Sequence, residues 1–130
     1  MRVLVLDANA AAYAAHLRAA HPAFTIDEAL DETAALRHAG EAEVIIALAQ
    51  HVTPALVAAA PRLAFIQALT TGTDPIHALT NLPAGIVVAS GRGIHGPQIA
   101  EIAFLLMLGL ARGFPRMLAN QRARIWERWP

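Results

Sequence analysis

The 130-residue chain contains no cysteine, which excludes disulfides, thiol nucleophiles and thiolate metal sites. It also contains no lysine: its ten cationic residues are all arginine, and ten acidic residues balance them to a net charge of zero. This balance lacks the basic excess of nucleic-acid-binding domains, so no nucleic-acid partner is expected. Charged residues make up 15% of the chain, whereas 56% of it is hydrophobic. The composition therefore predicts one folded domain with a sizeable core.

Long hydrophobic runs are missing as well. The longest apolar stretch, residues 102–111, is far shorter than the roughly 20 residues that cross a bilayer. Only four apolar residues stand between Arg2 and Asp7, too few for the apolar region of a secretory signal. We therefore expect a cytoplasmic protein with no membrane partner.

Short apolar runs alternate with alanine-rich helical segments along residues 1–96. The predicted strands are residues 3–6, 24–27, 44–48, 63–66 and 86–88, and the predicted helices are residues 10–20, 31–39 and 54–61. Asn9 and Thr53 are expected to cap the helices that follow them, and Gly40 to end the second helix. This alternation predicts an α/β fold, a flavodoxin-like, doubly wound, five-stranded parallel sheet with strand order 2-1-3-4-5.

The pattern changes at Pro97. Residues 97–112 predict a long helix that is apolar nearly all round, a pattern typical of burial on both sides. Its first apolar face consists of Ile99, Ile102, Ala103, Leu106 and Leu110, and the rest of its surface carries Phe104, Leu105, Met107 and Leu108. We expect this helix to pair with its copy in a homodimer. A swap of the tail, residues 113–130, between two chains is a related route, with Phe114, Trp126 and Trp129 as its anchors. The alternative is that the tail folds back and covers the helix within one chain.

The loop after the fourth strand is the best candidate binding site. Ligands of doubly wound sheets bind at the carboxyl ends of the strands. The N–H groups of Thr71, Gly72 and Thr73 can form an anion-binding concavity, and Gly72 permits close approach of a ligand to the backbone. His51, after the third strand, is placed to line the same cleft. The alternative is an ordinary turn in which Asp74 caps a short helix.

Two other motifs carry less weight. Residues 91–96 match G-x-G-x-x-G, the dinucleotide fingerprint, but no second strand with an acidic end follows, so we expect no cofactor loop there. The six histidines lack the spacing of metal ligands, and no metal site is expected.

Three segments taken together resemble the D-isomer-specific 2-hydroxyacid dehydrogenase family. These are residues 61–66 leading into Thr71-Gly72-Thr73-Asp74, the strand at Ile86-Val87-Val88-Ala89, and the helix with Ala100-Glu101-Ile102-Ala103 that ends in Ala111-Arg112. The resemblance implies a substrate-binding domain over residues 1–96. It also implies an interdomain helix and linker over residues 97–130, cut off before a Rossmann cofactor domain.

The same resemblance implies a function and its residues. Family enzymes interconvert 2-keto acids and D-2-hydroxy acids with NAD or NADP, which the missing domain would mainly bind. Carried over, Thr71, Gly72 and Thr73 hold the substrate carboxylate, residues 48–51 close the pocket, and Thr71 and Ile99 approach the nicotinamide. The family's catalytic Arg, Glu and His would all lie beyond residue 130, so this chain alone is expected to be inactive.

Two further hypotheses belong to other functional classes. A phosphorylatable receiver domain has the same strand order, but it needs an Asp after the third strand and a Lys after the fifth. This chain has Leu48-Ala49 at the first position and no lysine at all, so we reject that hypothesis. A free-standing module that binds small carboxylates or phosphates at Thr71–Thr73, without catalysis, remains open.

Overall fold

A computed structural model of the chain describes residues 1–128. It contains two compact units, Met1–Gly93 and a second unit that begins at Ile94. The strands are β1 (Arg2–Leu6), β2 (Thr25–Ala29), β3 (Val44–Ala47), β4 (Phe65–Ala68) and β5 (Val87–Ser90). The helices of the first unit are α1 (Ala10–Ala20), α2 (Glu32–Ala39), α3 (Pro54–Ala58) and α4 (Asp74–His77), with a 3-10 helix at Ala49–His51.

The five strands form one parallel sheet in the order β2-β1-β3-β4-β5. The predicted fold class and strand order are therefore confirmed. Because all strands run the same way, their carboxyl ends lie at one edge of the sheet, which we call the carboxyl edge.

The apolar run of β1 supplies both layers of the core. Successive side chains of a strand point to opposite faces of its sheet. Leu4 and Leu6 belong to the larger core cluster with α2, α3 and α4, whereas Val3 and Val5 pack in a smaller cluster with α1. A strand buried on both faces needs apolar residues at every position, and β1 meets this requirement.

Several predicted boundaries were wrong by a few residues. β2 extends to Ala29, two residues past its predicted end, and β4 lies two residues later than predicted, at Phe65–Ala68. Leu63 is buried, but it lies in a turn where its N–H donates to the carbonyl of Ala60. The third helix ends at Ala58 instead of residue 61. A continuous apolar run shows that a segment is buried. It does not show at which residue the strand begins to pair with its neighbour.

The predicted helix caps had mixed outcomes. Thr53 caps α3, since its hydroxyl accepts a hydrogen bond from the Leu56 N–H at 3.1 Å. The side chain of Asn9 makes no capping bond; its own N–H donates to the Asp7 carboxylate at 2.8 Å instead. Gly40 stands after α2 with φ −58°, so it is not the left-handed residue that we expected. The backbone at this turn stays in the right-handed region, which any residue can adopt. Glycine is therefore not required at position 40.

The second unit contains α5 (Gly96–Ala111) and α6 (Phe114–Ala123), joined through Gly113 at φ +65°. Neither helix contains a buried residue. Phe114 packs near Gly109, where an added Cβ would stand 3.8 Å from the Phe114 Cβ.

The structure leaves α5 more exposed than the sequence suggested. Both its first apolar face and the set from Phe104 to Leu108 are exposed, each large side chain by more than half. The tail therefore does not cover this helix over the residues described, because the large apolar side chains of α5 stay exposed. Phe114 and Trp126 are themselves exposed, and Trp129 lies outside the described residues. The division into a substrate-binding domain and a linker stays a prediction.

Over residues 1–128, no single helix is long and apolar enough to span a membrane. The pair α5 and α6 reaches that length and hydropathy together, but the chain bends by 65° between them.

The first unit's core gives a direct stability test. We expect Leu56→Ala to lower the free energy of unfolding by about 2–5 kcal/mol, because Leu56 is fully buried and its loss leaves a cavity. Leu36→Ala is the matched control: the same change in a helix, at a side chain that is 40% exposed, should cost less than about 1 kcal/mol. Urea unfolding measures both, and equal losses would contradict this assignment of the core.

Candidate functional site

The carboxyl edge carries the segments that follow the five strands. In the first unit these are residues 7–9 after β1, 30–31 after β2, 48–53 after β3, 69–73 after β4 and 91–93 after β5. The candidate residues Thr71, Gly72, Thr73 and His51 all lie in this set.

The β4 loop (Leu69–Thr73) is held in place from both sides. The Leu69 N–H donates to the carbonyl of Ala47 at 2.8 Å, and the Gly91 N–H donates to the carbonyl of Thr70 at 3.0 Å. Within the loop, the Thr70 hydroxyl donates to the carbonyl of Gly72 at 2.7 Å. These bonds use the Leu69 N–H as a donor and the carbonyl oxygens of Thr70 and Gly72 as acceptors, and they fix the loop's path between the ends of β3 and β5.

The loop's amide groups are left available. Among residues 1–128, no protein acceptor is hydrogen-bonded to the N–H groups of Thr71, Gly72 or Thr73. Thr71 and Gly72 are exposed and Thr73 is half-buried, so solvent or a ligand can reach them. Three consecutive backbone donors on a fixed loop suit an anion such as a carboxylate.

Gly72 is not required by its backbone conformation. The glycines with positive φ are Gly85, Gly93 and Gly113, and Gly72 is not among them. A Cβ added to Gly72 would stand 3.4 Å from the Asp74 carboxylate, whose flexible end can move. Open access to the backbone is therefore what glycine supplies here. The nearby Asp74 charge also means that an anion must approach the loop from the side away from this carboxylate.

Asp74 does not cap α4 as the ordinary-turn alternative supposed. Thr73 occupies the N-cap position, with no side-chain capping bond, and Asp74 is the first residue of the helix. The helix is anchored by Ile76, which is fully buried, and the Thr73 carbonyl accepts from the N–H groups of Ile76 and His77. The turn is thus closed through the backbone, and the Asp74 side chain stays exposed.

His51 ends the 3-10 helix and is exposed. This 3-10 helix contacts α4, which begins directly after Thr73, so the structure brings the segment of His51 beside the β4 loop. His51 also lines a cavity of about 370 Å³ at the carboxyl edge, which we call the edge cavity. Its lining consists of Leu6, Leu30, Asp31, Glu32, Gln50, His51 and Thr53.

Sequence reasoning missed the part of this lining that follows β2. Leu30, Asp31 and Glu32 reach the edge because β2 ends at Ala29, whereas the sequence pattern ended that strand at Asp27. The signal that was present is Asp31 itself: its carboxylate accepts from the Ala34 N–H at 2.8 Å and caps α2. Because Asp31 caps the start of α2, β2 can extend almost to this residue.

Comparison with known proteins decides the family. The model of the D-isomer specific 2-hydroxyacid dehydrogenase family, catalytic domain, matches residues 3–124. This chain belongs to that family. None of the curated proteins compared with it matches.

Solved structures of similar proteins agree with this assignment. A D-isomer specific 2-hydroxyacid dehydrogenase family protein from Aeromonas salmonicida is 30% identical, with a TM-score of 0.90 over 99% of this chain. The family protein from Klebsiella pneumoniae is 27% identical, with a TM-score of 0.69 over 98%. The enzyme from Xanthobacter autotrophicus, solved with NADPH and MES, is 21% identical, with a TM-score of 0.73 over 98%, which shows the fold alone.

This dehydrogenase-family chain spans less than half of those structures. It covers 41% of the Aeromonas chain, 40% of the Klebsiella chain and 42% of the Xanthobacter chain.

The G-x-G-x-x-G match of this family member has the wrong structural context for a cofactor loop. β5 ends at Ser90 and α5 begins at Gly96, but α5 is followed by α6, and the described residues contain no strand after it. The dinucleotide fingerprint needs a βαβ unit, so this segment does not fit the pyrophosphate of NAD or NADP. Ile99, expected near the nicotinamide, lies on α5 in the second unit and is 63% exposed.

Charged groups away from the carboxyl edge form hydrogen-bonded ion pairs within each unit. Arg2, at the amino end of β1, donates to the Asp27 carboxylate on β2 at 2.6 Å, and this hydrogen bond raises the pKa of Arg2. In the second unit, hydrogen bonds from Asn120 and Arg116 lower the pKa of Glu127. No group of three His, Asp or Glu residues that could hold a metal ion occurs in the described part of the chain.

The β4 loop generates a test of carboxylate binding. We expect Gly72→Val to weaken binding of pyruvate by about tenfold or more, because the branched side chain obstructs the three N–H groups. The backbone of Gly72 tolerates a side chain, so the variant should unfold at the same urea concentration as the parent. Amide chemical shifts during a pyruvate titration report the affinity. Gly40→Val, at an exposed glycine with φ −58° where an added Cβ would meet no atom closer than 4.0 Å, controls for a surface valine. Unchanged affinity in Gly72→Val would place the carboxylate elsewhere.

Proposed function

We propose that this chain is the substrate-binding part of an NAD(P)-dependent oxidoreductase that interconverts 2-keto acids and D-2-hydroxy acids. The observation that carries the proposal is the β4 loop at the carboxyl edge of a domain of this family. Its N–H groups at Thr71, Gly72 and Thr73 have no hydrogen-bond acceptor within residues 1–128, and these residues are exposed or half-buried. Such donors bind a carboxylate through charge-assisted hydrogen bonds, which are stronger than those between neutral groups.

In this proposal Thr71, Gly72 and Thr73 hold the substrate carboxylate, and His51 lines the pocket beside it. A carboxylate fixed at one end orients the adjacent keto or hydroxyl carbon for reaction. The loop is already fixed before binding, since the Leu69 N–H donates to Ala47 at the end of β3 and the Thr70 carbonyl accepts from Gly91 directly after β5.

We propose that the residue for the proton transfer lies outside the described part of this chain. Reduction of a keto group requires an acid within hydrogen-bond reach of the developing alkoxide, and a histidine paired with a carboxylate is a common form of such an acid. The close histidine–carboxylate pair that the structure shows within residues 1–128 is His38 and Asp27, with the His38 Nδ1 3.5 Å from the Asp27 carboxylate. Asp27 lies in the middle of β2 and already accepts from Arg2, so this pair serves the fold.

NAD or NADP would supply and receive the hydride. We propose that residues outside this sequence mainly bind it, because the glycine-rich segment at 91–96 does not fit a dinucleotide. Thr71 and Ile99, both exposed, would contact its nicotinamide end. The NADPH in the Xanthobacter structure supports this class of cofactor.

We expect the 130-residue chain alone to show no hydride transfer. NADH absorbance is followed with glyoxylate or hydroxypyruvate, while the amide spectrum shows whether pyruvate binds. Binding without turnover agrees with the proposal, and saturable NADH oxidation would contradict it. Binding of inorganic phosphate as tightly as pyruvate would favour the alternative, a general small-anion-binding module.

We also propose that α5 pairs with its copy in a homodimer. Eight large apolar side chains on this helix are between 54% and 73% exposed, more than monomeric proteins usually leave uncovered on one element. Half-burial of four of them would contribute roughly 3–6 kcal/mol. A two-fold axis lets the same face cover itself in both copies.

The pairing of α5 is tested by one charge on its apolar surface. Phe104→Glu should convert a dimer to a monomer at micromolar concentration, because a buried unpaired carboxylate opposes association. Gln98→Glu introduces the same charge about 120° away around the helix and should leave the dimer intact. Light scattering after size exclusion measures both, and a monomeric parent chain would contradict the proposal.

A further inference from the structure

Thr70 takes part in two hydrogen bonds that hold the β4 loop. Its carbonyl accepts from the Gly91 N–H at 3.0 Å, and its hydroxyl donates to the carbonyl of Gly72 at 2.7 Å. The proposed function gives Thr70 no role, because none of the three amide donors belongs to it. Its two bonds nevertheless act on the peptide units that contain two of those donors, the N–H groups of Thr71 and Thr73.

Each of these peptide units couples a carbonyl to the N–H of the next residue. Peptide units are planar, and those of the loop are trans, so the C=O and N–H bonds of one unit point in opposite directions. The Gly72 carbonyl points at the Thr70 hydroxyl, and the Thr73 N–H in the same unit therefore points away from it. The Thr70 carbonyl points at Gly91, and the Thr71 N–H therefore points away from the end of β5.

The two donors differ in what orients them. The Thr71 N–H is aimed by a bond between two backbone groups, which does not depend on the Thr70 side chain. Because β4 lies between β3 and β5, this donor is turned toward the side of β3, whose following segment ends at His51. The Thr73 N–H is aimed by the Thr70 hydroxyl, so a side-chain substitution can release it.

Gly72 makes this side-chain bond necessary. Glycine has no Cβ and populates more backbone conformations than other residues. A Cβ added to Gly72 would meet the Asp74 carboxylate at 3.4 Å and no other atom within 4 Å beyond its chain neighbours, so packing restrains this residue little. The Thr70 hydroxyl is the hydrogen-bond donor that the structure shows on the Gly72 carbonyl. Without it, the peptide unit of Gly72 and Thr73 is free to rotate.

We infer that Thr70 is a positioning residue of the carboxylate site, whose hydroxyl holds the Gly72 carbonyl and thereby aims the Thr73 N–H at the ligand. The inference rests on the proposed function, which places the substrate carboxylate at the β4 loop. A hydroxyl has one hydrogen, and here the Gly72 carbonyl takes it, so Thr70 does not also donate to the carboxylate. Its effect on binding is exerted through Thr73, by ordering a donor before the ligand arrives.

The test removes the hydroxyl and then restores it. Thr70→Val keeps the β-branched shape without the hydroxyl, and pyruvate should bind to the 130-residue chain about three- to tenfold more weakly, the value of one hydrogen bond. Thr70→Ala lacks both the hydroxyl and the branch and should show the same loss, so the result does not depend on the fit of valine. Thr70→Ser keeps the hydroxyl and should bind pyruvate within about twofold of the parent. Dissociation constants come from amide chemical shifts at pH 7.

The amide shifts at saturating pyruvate separate positioning from other causes. In Thr70→Val the shift at Thr73 should shrink, whereas the shift at Thr71 should persist, because the bond to Gly91 still orients that donor. General loosening of the loop would shrink both shifts, and loss of a direct contact with Thr70 would leave both in place. Thr25→Val is the matched control: Thr25 is exposed on β2, and within residues 1–128 its side chain forms no hydrogen bond.

The outcomes distinguish the two levels of the argument. Unchanged pyruvate affinity in Thr70→Val and Thr70→Ala, with shifts at Thr71–Thr73, would overturn the role of Thr70 and keep the carboxylate site. Thr70→Ser binding as weakly as Thr70→Val would also overturn it, as would parallel changes at Thr71 and Thr73. Absence of shifts at Thr71–Thr73 in the parent chain would overturn the proposed function, and the inference with it.

Discussion

The parallel arrangement of the five strands is the constraint on which the rest of this structure depends. β1 lies inside the sheet, between β2 and β3, and a core layer packs on each of its faces. Val3 to Leu6 fill both layers with apolar side chains only. Parallel pairing also brings every strand's carboxyl end to one edge. Loops that are 20 to 40 residues apart in sequence meet there, and their backbone groups become available together.

The sequence predicted the fold well because two signals agreed. The alternation of apolar runs with helical segments implies parallel pairing, and α1 with its boundaries at Ala10 and Ala20 was predicted correctly. The start of β4 could not be predicted, since Leu63 and Phe65 are both apolar and only pairing with Val44 decides between them. The end of β2 was missed for another reason: the two polar residues Asp27 and Glu28 lie inside the strand and interrupt its alternation. The acidic side of the edge cavity was missed with it.

The candidate site was predictable in position and less so in chemistry. A glycine between two threonines after a buried strand indicates a ligand loop. The structure places Thr71–Thr73 at the carboxyl edge, with N–H groups that no acceptor in the described part of the chain binds. Two features needed coordinates: the Asp74 carboxylate beside Gly72, and the contact that brings the 3-10 helix of His51 to α4. Helix α5 shows the opposite case, in which apolar side chains predict burial that the described chain does not provide.

The central claim is that the β4 loop binds the substrate carboxylate through its backbone. A crystal structure of the chain grown with pyruvate tests this most directly, because it locates the carboxylate oxygens. The account predicts both oxygens within about 3 Å of the N–H nitrogens of Thr71, Gly72 and Thr73. Pyruvate bound with its carboxylate against His51, Arg92 or any other side chain, and these three N–H groups left to solvent, would contradict it.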